Sequence, residues 1–154
     1  MAILTDTDMS VDRSVWVPGD RRYTDLHSWL RPPADQVLGD QPLCIGVTEA
    51  VVEGLRIISV ELPPIGTAIE AGEACALIWS SPLSAMPVYA PISALVTDVN
   101  AGLREDPGPV ARDPFHTGWL FTALPTDRSS ADGLLTASEY AGLQGVTVSR
   151  AALR

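Results

Sequence analysis

The side chains able to do chemistry in this chain are few and scattered. His27 and His116 lie in different segments, Cys44 and Cys75 sit inside the apolar stretches LCIGV and EACALIW without CxxC spacing, and no serine stands in a GxSxG context. Neither a phosphate-cradling glycine loop nor a cluster of metal-ligating residues is present. Lysine is absent from all 154 residues, which rules out Schiff-base chemistry. The chain is therefore expected not to be an enzyme. No carboxylate or nucleophile accompanies His27 at an informative spacing, so it reads as a structural histidine, and His116 reads as a solvated loop residue. The two cysteines read as buried free thiols in a reducing compartment, with a disulfide or a modified thiol as the alternatives.

The elements that would position anything presented to a partner centre on Ala76 to Asn100, ALIWSSPLSAMPVYAPISALVTDVN. An apolar strand leads into a short turn rich in Pro and Ser, and a second strand leaves it. Val88, Ala90, Ile92, Ala94, Val96 and Asp98 form one register of that second strand and Tyr89, Pro91, Ser93, Leu95, Thr97 and Val99 the other, the period of two of a half-buried strand. Pro91 within it demands an edge or a bend. Between the strands, Ser80 to Pro87 reads SSPLSAMP, where Pro82 and Pro87 fix two φ angles. The expectation is a hairpin with a stiff, exposed tip.

Nearly half the residues are hydrophobic, enough for one domain with a real core. A formal charge of −9 without a basic cluster argues against nucleic acid or an anionic membrane and in favour of a protein partner. The N-terminal residues hold no apolar run of signal or membrane length, and a cytoplasmic location is expected. Residues 1 to about 20 read as an extension, either a mobile arm folding Trp16 onto the domain or a docking segment.

Along the rest of the chain, Tyr23, Leu26 and Trp29 suit an edge strand, and Arg31 to Gln41 a loop. Thr48 to Gly54 reads as a short capped helical turn. Leu55 to Leu62 is a strand with Ile57, Ser59 and Glu61 on one side and Ile58, Val60 and Leu62 on the other, and a short strand follows at Ala68 and Ile69. After Asn100 a surface crossing leads to a final strand, Gly118 to Phe121. Thr136 to Glu139 forms a capping box for a short helix. Alternation alone supports an antiparallel sandwich or barrel.

Several of these segments, in this order, carry a family likeness. VYAPISALVTDVN followed by AGLREDPGPVARDPFHTGWLF resembles the carrier of the glycine cleavage system, the H protein; so do YTDLHSW, IGVTEA and VELPPIGTAIEAGE upstream and GLLTASEYAGL downstream. The resemblance implies a mainly β fold, a flattened antiparallel barrel or sandwich of the biotinyl and lipoyl (barrel-sandwich hybrid) type with short flanking helices. It implies an N-terminal extension over 1–21, the domain over 22–144 and a tail over 145–154. In the family the hairpin tip carries a lysine joined by an amide to lipoic acid, and Leu83 stands at that position here. Arg cannot replace it, because a guanidinium stays protonated and is not a nucleophile at neutral pH. Ser80 stands where the family usually has an acidic residue, and Leu55 and Arg56 where it has Gly-Asp.

The resulting expectation is a binding module with no cofactor. Ser81, Pro82, Leu83, Ser84 and Met86 form its partner-binding tip, and Arg56 marks a possible docking surface beside it. The partner is a protein, a glycine-cleavage-type or biosynthetic enzyme, and the module is a monomer with dimerisation open. Leu83 either enters a groove on the partner or folds back onto Trp79. The alternatives are a carrier with cargo on Ser80, Ser81, Ser84 or Cys75, and a competitive regulator of a glycine-cleavage-type complex.

Overall fold

The computed structural model describes residues 17–32, 41–82, 84–126 and 133–143. Trp16, Leu83 and the tail from 145 onward, to which the expectations above refer, lie outside the described residues.

Among the described residues, nine strands and three short α-helices appear in the order β1 (Arg22–Tyr23), β2 (Ser28–Arg31), β3 (Leu43–Val47), α1 (Glu49–Val52), β4 (Arg56–Glu61), β5 (Ala68–Ile69), β6 (Ala74–Ser81), β7 (Ser84–Tyr89), β8 (Ala94–Val99), α2 (Pro109–Arg112), β9 (Phe121–Pro125) and α3 (Ala137–Leu143). Every recorded strand pairing is antiparallel. A larger sheet has the order β1-β2-β3-β9-β8-β5, and a smaller one β4-β6-β7. The main core lies between them: Leu30, Leu43, Ile45, Val47, Phe121 and Ala123 from the large sheet meet Ile57, Ala76, Ile78 and Val88 from the small one. Each fully buried Ile, Leu or Val side chain there contributes roughly 1.5–3 kcal/mol by leaving water.

The register expected for 88–98 is observed as far as residue 96, since Val88, Ala90, Ile92, Ala94 and Val96 are all buried. They do not form one strand. β7 ends at Tyr89 in the small sheet and β8 begins at Ala94 in the large one, with Pro91 in the bend between. The period of two therefore reports the buried side of the path and is silent on which neighbour it pairs with. A shift between Val96 and Asp98 then leaves Asp98 outside.

In β4 a bulge between Ile57 and Ser59 breaks the expected alternation. Ile57 is buried, Ile58 is thrown outward and 47% exposed, and Val60 returns toward the core. The final strand starts at Phe121, later than expected. The crossing before it is more structured than a loop: a 3-10 turn over Ala101–Arg104 and α2, with Pro109 at its first position, sink Leu103 and Val110 into the main core. Asn100 closes the crossing, its side-chain amide donating to the carbonyls of Thr117 and Trp119. The capping box is present as read, with Thr136 N–H donating to Glu139 and Glu139 N–H to Thr136.

A second, smaller core covers the outer face of the large sheet, where Tyr23, Trp29, Phe115 and Tyr140 pack together. Trp29 lies flat against Gly46, its register partner on β3, and its indole N–H donates to the Val47 carbonyl at 2.9 Å. A Cβ on residue 46 would stand 2.5 Å from Trp29 Cζ2. The indole is wholly buried and hydrogen-bonded, so it has nowhere to move. Gly46→Ala is therefore expected to destabilise the fold by about 1–3 kcal/mol through overpacking, seen in urea titration as a lower midpoint with an unchanged slope.

Candidate functional site at the hairpin tip

The hairpin is set by side-chain alternation on β6. Ala76, Ile78 and Ser80 turn inward and are buried, so Leu77 and Trp79 face outward; Cys75, at the register shift between Ala74 and Ala76, is half-buried and packs against the main core. At its far end Ser80 lies opposite Ser84 and Ile57, and Ser81 opposite Arg56. Ser81, Pro82, Ser84 and Arg56 are exposed and stand together around the tip; Leu83, between Pro82 and Ser84, lies outside the described residues. Met86, expected at the tip, is set back from it: it pairs with Ile78 and packs half-buried against the main core.

Of the four residues weighed for an alternative attachment, Ser80 and Cys75 fare differently from the exposed Ser81 and Ser84. Ser80 is only 2% exposed, because it shares the inward register of Ala76 and Ile78. Cys75 is a free thiol pushed up to about 12 by burial, so little of the nucleophilic thiolate exists near neutral pH. Burial likewise raises Cys44, with Arg31 opposing it. Ser81 and Ser84 remain accessible hydroxyls. An amide-linked lipoyl or biotinyl arm needs a primary side-chain amine, and the residues of this chain do not supply one.

Neither histidine belongs to the tip. His27 holds a left-handed backbone at φ 72°, and its Nδ1 lies 2.6 Å from the Tyr140 hydroxyl, which is 2.7 Å from Thr48 Oγ1. The Thr48 N–H donates to the His27 carbonyl at 2.9 Å. This chain of bonds fastens α3 onto β2 and the start of α1, which makes His27 structural. It also explains why Thr48, although it precedes α1, does not cap it with its side chain. Burial pushes the Tyr140 phenol above its ordinary value. His116 is exposed and 3.2 Å from Asp113, whose carboxyl is held low chiefly by the backbone N–H of Thr117. Among the described residues no group of three or more His, Cys, Asp or Glu is placed to hold a metal ion. No helix of these residues is long and apolar enough to cross a membrane.

One buried charge was not singled out by the sequence. Arg21 is 2% exposed, with its guanidinium carbon 4.7 Å from the Trp29 ring centroid and 5.8 Å from that of Phe115. It donates to the Phe115 carbonyl and pairs with Asp20 at 2.8 Å. Nothing in the sequence around Arg21 and Arg22 distinguishes the buried one from its exposed neighbour.

Two small antiparallel sheets closed on one core, with a hairpin projecting from the smaller, define a barrel-sandwich protein of the biotinyl and lipoyl carrier type. The family model described as glycine cleavage H-protein matches residues 21–145. The glycine cleavage system H protein of Halorhodospira halophila is 42% identical over 125 residues, covering 80% of this chain and 92% of its own length. That of Corynebacterium aurimucosum is 37% identical over 131 residues, covering 84% and 97%. A crystal structure of a glycine cleavage system H protein from Mycobacterium marinum superposes with a TM-score of 0.74 at 36% identity, over 84% of this chain and all of that one. The chain belongs to the glycine cleavage H-protein family, and it is not an enzyme.

The thiols give a direct check on the geometry around the hairpin. Because burial raises both, iodoacetamide at pH 8 is expected to leave Cys44 and Cys75 of the folded protein largely unmodified while alkylating both in urea. Intact mass reads the result, and Cys75 of the folded protein becomes reactive only as the pH climbs toward its raised value of about 12.

Proposed function

We propose that this protein is a non-lipoylated H-protein-like adaptor that docks on a partner enzyme through its hairpin tip. The observation that carries this reading is the absence of lysine from the whole chain, because the amide-linked arm that the family resemblance implies has no amine to attach to. Leu83 occupies the position of the family's lysine. The exposure of Ser81, Pro82 and Ser84 around it, and of Arg56 beside Ser81, supports a short contact surface in place of an arm. Met86 supports the tip from behind by packing on Ile78. The partner is a protein, either a glycine-cleavage-type enzyme or a biosynthetic relative of one. Residues 22–144 act as the docking unit, a monomer working in the cytoplasm.

Intact mass of the protein from its native host is expected to equal that of the bare sequence. An added mass mapped to Ser81 or Ser84 would instead establish a carrier with another attachment. Leu83→Asp, assayed by calorimetry against purified glycine-cleavage-type enzymes, is expected to weaken binding by about 1–2 kcal/mol, the cost of losing a small anchoring residue. Unchanged affinity would remove the tip from the interface. If a lysine-bearing H protein competes for the same enzyme surface, the adaptor acts as a regulator of that complex.

A further inference from the structure

We propose that the outward face of the hairpin sheet, centred on the Trp79 indole and the Glu61 carboxylate, receives an arginine or lysine side chain from an apolar segment of a partner protein. The indole is held in place by its own polar edge, since Nε1–H donates to Glu61 Oε2 at 2.9 Å. With that donor satisfied, what the pair still offers is a π face and a carboxylate, and both attract a cation.

The neighbours leave room for it. Trp79 lies between Ser59 on β4 and Ala85 on β7, both small and exposed. One row toward the base of the hairpin, Leu77 sits between Glu61 and Pro87, and the bulge in β4 turns Ile58 outward, so the cation site has an apolar surround. Toward the tip, Arg56 repels a second cation and confines the incoming charge to the Glu61 side.

The occupant is a different protein and not a second copy of this chain. A face three strands wide and six residues long covers roughly 300 Å², well below the roughly 800 Å² per partner of a stable interface. Two copies would also each bring a net charge of −9. A short basic and apolar segment suits both the area and the charge. This inference stands on the geometry of β4, β6 and β7 and does not depend on the tip docking proposed above.

The test is a two-dimensional NMR titration of the intact protein with the peptide acetyl-Leu-Arg-Leu-amide and with the same peptide carrying uncharged citrulline for arginine. The arginine peptide is expected to shift the Trp79 Nε1–H resonance and to bind about two- to five-fold more tightly than the citrulline peptide. Glu61→Gln, which keeps an acceptor for the indole, should remove that preference, and Leu83→Asp should leave it intact. Equal affinity for the two peptides overturns the proposal. So do shifts confined to the other tryptophans, or a Trp79 shift with protein concentration alone, which would assign the face to a second copy.

Discussion

The fold depends on a single buried line of small and branched side chains, Val88, Ala90, Ile92, Ala94 and Val96, that runs unbroken while the backbone leaves one sheet and enters the other. Pro91 lies in that passage, where it costs no ladder hydrogen bond. The turn is held from both sides: Ala90 N–H donates to the Glu73 carbonyl and Gly72 N–H to the Ala90 carbonyl, while Ser28 of β2 donates to the carbonyl of Tyr89. Because the same five residues wall both halves of the core, the hairpin is an extension of the sandwich and not an appendage. Its far end is accordingly fixed by the packing of Ile57, Ile78 and Met86 beneath it.

The second core is built on a different principle. On the outer face of the large sheet the flat contact between Trp29 and Gly46 makes a shelf, and the guanidinium of Arg21 and the ring of Phe115 lie over it. A buried guanidinium would ordinarily be costly. Here the aromatic faces, Asp20 and a carbonyl offset the loss of water, although Nε finds no partner among the described residues. Tyr140 stacks on Tyr23 at a centroid distance of 5.0 Å and so brings α3 onto the same shelf. Two unlike cores, one aliphatic and one aromatic, thus share one sheet as a common wall.

How much of this was legible in the sequence varies with the range of the interaction that decides it. The buried register of 88–96, the strand at β4, the short β5 and the Thr136 capping box are decided by neighbours two to four residues away, and the sequence shows them. The sheet switch at Pro91 and the bulge at Ile58 depend on what the strand pairs with. The 3-10 turn and α2 are four residues each, too short for any helical period to register. At the candidate site the exposed serines and Arg56 were legible as a group. The inward turn of Ser80 was also there to be read from Ala76 and Ile78. The partnership of His27 with Tyr140, 113 residues apart, had no local signal at all.

One pairing outside the main strands has a consequence for how the chain closes. Tyr23 and Leu135 exchange both backbone hydrogen bonds at 2.8 Å, forming an isolated antiparallel bridge. The beginning and the end of the folded unit are therefore buttoned to each other, on the aromatic side of the large sheet and away from the hairpin sheet. Topologically the domain is nearly a ring with its clasp at the back. Joining the chain on either side of that clasp by a short linker and opening the ring in an exposed turn elsewhere would preserve every strand pairing.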